Sequence, residues 1–206
     1  MAVRGRPKGA SGEESRALLL QVAAQEFAQN GYYETKISDI VKGASLTQPV
    51  FYLYFKNKEA VFQELVDLFR IRLVDFVNKS RLQPALESNT VQERIASGLA
   101  NLLRFFAKNP DITRIGFYLS IDADEIKKQL VLQIKDNLDF EVSEGYFRQD
   151  IDTQMVADCL VGIIERLTLT QLLTGQKEPE AIANDIVHLF LYGIINEGYN
   201  VFNYIS

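Results

Sequence analysis

Apolar residues recur at helical spacing along almost the whole chain, and no run of strict alternation reads as a strand. The expectation is therefore an all-α fold. Composition breaks the pattern at Gly31, at Ala44-Ser45, at Pro84, at Asn109-Pro110, near Gly145, and from Gly175 to Pro179. Between these breaks the pattern predicts helices over 13–30, a two-turn helix after Thr35, a third after Thr47, and a long fourth from Asn57 to residue 80. Further helices are predicted over 91–108, 111–120, 122–142, 153–174 and 180–202. Thr35, Thr47 and Asn57 are the expected N-caps, because a side-chain oxygen there accepts from an orphan amide of the first turn. Gly31 stands where a left-handed C-terminal cap is wanted.

With 47% hydrophobic and 24% charged residues the composition is that of a soluble globular protein, and 206 residues suffice for one substantial core or for a small module on a medium domain. The longest apolar stretch, 187–195, is broken by His188 and is shorter than the ~20 residues a membrane span needs. The charged N-terminus has no apolar run behind it, so a cytoplasmic location is expected. Cys159 is the only cysteine. It allows no intrachain disulfide or thiolate cluster, and a small core residue is the expected role. His188 has no second histidine or cysteine at ligand spacing, which favours a hydrogen-bonded core or interface side chain over a metal ligand. Neither metal nor cofactor is expected.

The net charge of −5 is unevenly divided. Residues 1–58 hold eight Lys and Arg, among them Arg16 and Lys58, against five acids, a local charge of +3 that leaves −8 for the remainder. A basic head on an acidic body suits a polyanion-facing module, although many surface distributions would give the same asymmetry.

Residues 37–58 read as two short helices joined by a tight turn. At 100° per residue, Phe51 and Phe55 share one face of the second of these helices, while Gln48, Pro49, Tyr52 and Leu53 share another. The first face is expected to pack on the first helix and the second to face outward. Such an outward stripe fits a DNA major groove: Gln can pair with the N6 and N7 edge of adenine, apolar atoms can touch thymine methyls, and a tyrosine hydroxyl can reach phosphate. Lys58 sits in the first turn of the fourth helix, where a cation opposes the macrodipole. A phosphate partner would offset that penalty, and a solvated surface lysine is the competing account. The arm Arg4-Gly5-Arg6-Pro7-Lys8 suits a narrow A·T-rich minor groove, with a disordered tail as the alternative.

Phe27-Ala28, Gly31-Tyr32, Ile40, Ala44, Leu46-Thr47, Tyr52, Tyr54-Phe55, Lys56 and Lys58-Glu59 together resemble the helix-turn-helix signature of the tetracycline-repressor family. The resemblance covers roughly the first third of the chain. Ser45 stands where the family generally has Gly, and Pro49-Val50 replaces a common Gly-Thr pair. The resemblance implies a head over 1–56 joined by a long helix to a helical ligand-sensing and dimerisation domain over 57–206. It also implies that Gln48 and Pro49 read bases, that Tyr52 and Tyr54 contact phosphate or groove, and that Ser38 is the nearest residue of the preceding helix. With Thr47, Val50, Leu53, Lys58, Arg4 and Arg6 these make the candidate DNA-binding set. The implied partners are operator DNA, a second copy of the chain, and a small hydrophobic or amphipathic ligand.

The last two predicted helices are apolar nearly all round, and a helix without a polar face is covered on both sides. A two-fold dimer through Leu160, Ile163, Leu167, Leu189, Phe190 and Ile194 would supply the cover, with Gly162 and Gly193 permitting close approach. A helix pair buried within one monomer is the alternative. Phe105, Phe106, Ile115, Phe117, Tyr118, Leu138, Leu160 and Ile164 are candidates to line an apolar pocket, though ordinary core accounts for any one of them. No nucleophile with a matching base, phosphate-cradling glycine loop or metal-spaced cluster supports an enzyme. A helical protein-binding scaffold is the remaining alternative to a DNA-binding regulator.

Overall fold

A computed structural model describes residues 10–79 and 90–194. Its helices are α1 (Ala10–Glu34), α2 (Ile37–Gly43), α3 (Gln48–Tyr54), α4 (Lys58–Lys79), α5 (Val91–Lys108), α6 (Pro110–Arg114), α7 (Ala123–Ser143), α8 (Thr153–Leu167) and α9 (Pro179–Tyr192). There is no strand among the described residues. The expected minor-groove residues Arg4 and Arg6 and the predicted boundary at Pro84 lie outside them.

The chain divides into two compact units, one ending at Asp75 but including Asn109–Leu130, the other formed by Phe76–Lys108 and the residues from Val131 onward. The expected head, 1–56, falls within the first. Its core is α1's apolar stripe of Leu19, Ala23 and Phe27, all fully buried, packed with Ile40, Phe51, Val61 and Phe69. Each of the larger side chains withdrawn from water contributes about 1.5–3 kcal/mol, and Ala23 less. The helical run of α1 breaks at Gly31 (φ 77), a backbone angle that glycine adopts without a steric penalty.

Thr35 is not the cap of α2. Lys36 holds the N-cap position without a side-chain bond, and the buried Thr35 hydroxyl donates to Gly31 O at 2.7 Å and Glu26 O at 3.1 Å. Both carbonyls lie near the end of α1, and Gly31 O also accepts from Thr35 N at 3.4 Å, so Thr35 closes the helix behind it. Thr47 stands at the N-cap of α3 but makes no capping bond. Asn57 does cap α4, its Oδ1 accepting from Ala60 N at 2.8 Å.

Also in the first unit, α6 runs into a π-helical turn, Ile115–Leu119, closed by Ser120 N to Ile115 O at 2.8 Å. The turn and α6 pack on α1. Gly116 is there because Phe69 of α4 presses against it: a Cβ would stand 2.2 Å from Phe69 Cδ1. Arg70 donates to Asp122 Oδ2 at 3.0 Å, joining α4 to the loop after the turn.

In the second unit α5 packs on α9. Arg104 Nε donates to Glu180 Oε1 at 3.1 Å and Tyr192 Oη to Gln92 Oε1 at 2.7 Å, one pair toward each end of α9. α8 buries Ala157, Val161 and Ile164, then passes into a second π turn, Thr168–Leu172, closed by Leu173 N to Thr168 O at 2.9 Å. Three sequence expectations change here. α9 ends at Tyr192, because Gly193 takes φ 68; the rest of the predicted helix from residue 195 lies outside the described residues. Cys159 is exposed and not a core residue, since it sits on the side of α8 opposite Val161 and Ile164. His188 is likewise exposed, its ring 5.0 Å from Tyr192, which removes the core reading and leaves the interface one.

Candidate nucleic-acid interface

The turn between α2 and α3 is built from backbone bonds. Ser45 N donates to Lys42 O at 3.0 Å and Leu46 N to Val41 O at 2.8 Å, the paired bonds of a Schellman C-cap. That motif requires a left-handed residue at Ser45, and its φ is 54. Glycine usually fills such a position; serine adopts it at a steric cost. Gly43 is close-packed as well, a Cβ there falling 2.7 Å from Val22 Cγ1 of α1.

This turn aims α3. Phe51 is fully buried and Phe55 is 3% exposed, so the inner face of the helix is fastened to the core. Tyr52 is 56% and Leu53 76% exposed, and Thr47, Gln48 and Pro49 are exposed beside them. Val50 and Tyr54 are half-buried, with the Tyr54 hydroxyl 3.4 Å from where a Gly12 Cβ would lie on α1. Ser38 is exposed on α2, its hydroxyl 3.4 Å from Asp39 Oδ1. The structure thus brings Ser38, Thr47, Gln48, Pro49, Tyr52 and Leu53 to the surface on the two short helices. With seven residues α3 is about 10 Å long, which suits insertion into a major groove.

Lys58 has a different place from the one expected. Its Nζ donates to Tyr32 O at 2.6 Å and Thr35 O at 2.8 Å, lies 3.4 Å from Tyr33 O, and sits 4.4 Å from the centre of the Tyr32 ring. The penalty of a cation in the first turn of α4 is indeed offset, but by carbonyls left open where α1 ends. Its ammonium is occupied inside the fold, so the phosphate role is withdrawn. Burial, with the Glu59 carboxylate and Tyr33 adding to it, pushes the Tyr32 phenol above its ordinary value, so the ring stays neutral under the lysine.

Lys36, Lys42 and Lys56 were not in the expected DNA-binding set, yet all three are exposed on the head without an ion pair among the described residues. Their flanking of a helix-turn-helix was the available signal. The other expected sites divide between the two units. Ile115, Phe117 and Tyr118 belong to the first, where Phe117 meets Phe69 at 5.9 Å between ring centres. Phe105, Phe106, Leu138, Leu160 and Ile164 belong to the second. Leu160, Ile163 and Leu167 are half-buried along α8, while Leu189, Phe190 and Ile194 are exposed on and just after α9.

Residues 19–65 match the profile of bacterial regulatory proteins of the tetR family. Over 190 residues the chain is 42% identical to the HTH-type transcriptional regulator YdgC of Bacillus subtilis (strain 168), a match spanning 92% of this chain and 97% of that protein. FadR from Bacillus subtilis, solved in complex with stearoyl-CoA, shares the fold at a TM-score of 0.66 and 22% identity over 87% of this chain and 100% of that one. A TetR-like transcriptional regulator from Rhodococcus sp. RHA1 does so at a TM-score of 0.70 and 20% identity, covering 89% of this chain and 96% of the other. A helix-turn-helix with Gln48, Pro49, Tyr52 and Leu53 turned outward, on a chain similar along nearly its full length to such a regulator, identifies the protein as a DNA-binding transcriptional regulator of the tetR family.

Proposed function

We propose that the chain is a cytoplasmic homodimeric repressor that binds a palindromic operator through α3 of each protomer and is released by a small hydrophobic or amphipathic ligand. The observation that carries the operator reading is the division of α3, with Phe51 and Phe55 buried beneath it and Gln48, Pro49, Tyr52 and Leu53 displayed above. Gln48 and Pro49 are assigned to bases, and Thr47, Val50, Tyr52, Leu53, Tyr54 and Ser38 to the groove and its walls. Lys36, Lys42 and Lys56 take the phosphate role withdrawn from Lys58.

A single short helix reads one half-site, so two must be held about 34 Å apart to enter successive major grooves. The exposed apolar residues Met155 and Leu169 near α8 and Leu189, Phe190, Leu191 and Tyr192 on α9 supply a surface that a second copy would cover. The ligand is assigned to the second unit, among Phe105, Phe106, Leu138, Leu160 and Ile164. Since FadR is a structural relative solved with stearoyl-CoA, long-chain acyl thioesters are the first ligands to test. A ligand that lowers DNA affinity a hundredfold must prefer the DNA-incompetent state by about 2.7 kcal/mol, and DNA must weaken the ligand by the same factor.

Selection of bound genomic fragments followed by sequencing tests the operator. A palindromic consensus is expected, and Gln48→Ala should cost about 1–3 kcal/mol on it while relaxing preference at one base pair per half-site. An equal loss on operator and random DNA would move Gln48 to a backbone contact.

A further inference from the structure

Eight basic residues stand in the first 58, but two of them, Arg16 and Lys58, are turned into the fold. Lys58 ties the start of α4 to the end of α1. Arg16, one and a half helical turns from the start of α1, makes the corresponding tie at the other end. Its Nη2 donates to both carboxylate oxygens of Glu64 on α4, at 2.7 and 2.6 Å, and its guanidinium carbon lies 5.0 Å from the centre of the Phe55 ring.

Phe55 is the C-cap of α3, with extended backbone (φ −132, ψ 131) and its N–H on Phe51 O. The Arg16 guanidinium therefore touches the residue that ends α3 and holds the helix that follows it. A seven-residue helix has too few internal bonds to keep its own orientation and takes it from what it packs on. We infer that Arg16 is a positioning residue for DNA recognition: by holding Glu64 and covering Phe55 it sets the angle at which α3 leaves α1 and α4.

Arg16 and Glu64 are part exposed, at 41% and 36%, and exposed ion pairs add little to stability. Geometry is the contribution: Nη2 holds both carboxylate oxygens while the flat guanidinium lies against the Phe55 ring, a broader cover than the compact ammonium of a lysine gives. Because Glu64 neutralises it, Arg16 adds no phosphate contact.

The role depends on α3 being the element that reads DNA, so the test separates the two. Arg16→Met, Arg16→Lys, Glu64→Gln and the reversed pair Arg16→Glu/Glu64→Arg are measured in the full chain beside Gln48→Ala. The probes are a short duplex carrying the palindrome recovered by genomic selection, and sheared genomic DNA. Binding is followed over a salt series, well below each variant's melting temperature. Arg16→Met and Glu64→Gln should each weaken the palindrome about threefold to tenfold, equally to one another, with affinity for sheared DNA and salt slope unchanged. Arg16→Lys should fall between, and the reversed pair should recover part of the loss.

A salt slope reduced by about one per half-site in Arg16→Met but not in Glu64→Gln would make Arg16 a phosphate contact and overturn the inference. Unchanged palindrome affinity in both single variants would overturn it as well. Should Gln48→Ala leave discrimination intact, the assignment of α3 fails independently of the Arg16 result. Glu64→Gln preserves shape, so it supplies the answer even if Arg16→Met folds poorly.

Discussion

Replacing Lys58 by Met keeps the length of the stem and removes only the charged end. In the folded head that end makes two short bonds, to Tyr32 O at 2.6 Å and Thr35 O at 2.8 Å, and lies over the Tyr32 ring. A charge-assisted hydrogen bond contributes about 1.5–3 kcal/mol when buried; Lys58 is half-buried, so the lower end of that range applies to the pair together. A cation–π contact adds about 0.5–1 kcal/mol. The expected loss is therefore about 2–3 kcal/mol, which for a chain of this size lowers the melting temperature by about 5–10 °C. Urea unfolding followed by circular dichroism reads the stability, and amide exchange at Ile37 to Val41 localises it. The salt dependence of DNA binding should keep its slope, because no phosphate contact has been removed. A variant as stable as the parent, with a slope smaller by about one per half-site, would refute this account and return Lys58 to the DNA.

Gly116→Ala should destabilise the first unit by about 1–3 kcal/mol, because the new methyl would stand 2.2 Å from Phe69 Cδ1 and 2.8 Å from its Cβ, next to rigid backbone; an unchanged urea midpoint would show that α4 yields freely. Ser45→Gly relieves the positive φ of 54 and should raise stability by roughly 0.5 kcal/mol, the steric gain being partly cancelled by the greater freedom of the unfolded chain. A loss in the urea midpoint would mean that serine is not strained there. The Arg104 hydrogen bond, then a backbone N–H, holds the Glu180 carboxyl below its ordinary value of 4.5, so its stabilising share is present above that value and disappears as the pH falls through the lower folded one. The stability difference between the parent chain and Glu180→Gln should accordingly be positive near neutrality and shrink toward zero in acid. A difference constant with pH would rule the ion pair out as its source.

What could be read before any coordinates were the features carried by local periodicity. The spacing of Phe51 and Phe55 against Gln48, Pro49, Tyr52 and Leu53 is enough to orient α3, and an Asn just ahead of an apolar stripe is enough to cap α4. Features set by residues far apart in the chain were not legible. Lys58 meets carbonyls 23 to 26 residues earlier, and nothing in its neighbours records that the end of α1 returns to it. Thr35 has the chemistry of an N-cap, and only the fold decides that its hydroxyl turns back to Glu26 and Gly31. The π turns at Ile115–Leu119 and Thr168–Leu172 each shift the register within what reads as one helix, so an unbroken 3.6-residue pattern runs through them unnoticed. Cys159 was misplaced, and the core reading of His188 fell, because small and aromatic residue types are often buried; in both cases position on the helix outweighs type.

The packing of α1 against α6 and the π turn bears on how this regulator could be rebuilt. A chimera that exchanged the helix-turn-helix head by chain order alone would be cut just ahead of α4, near residue 57. Such a cut would graft α1 without the surface it was shaped to meet, because α6 and the π turn stay behind with the residues after 57. A transplant that carries 109–130 along with the head would keep that joint intact. Modularity in this chain therefore follows contacts and not the order of the sequence: the smallest exchangeable piece consists of two separate stretches of polypeptide.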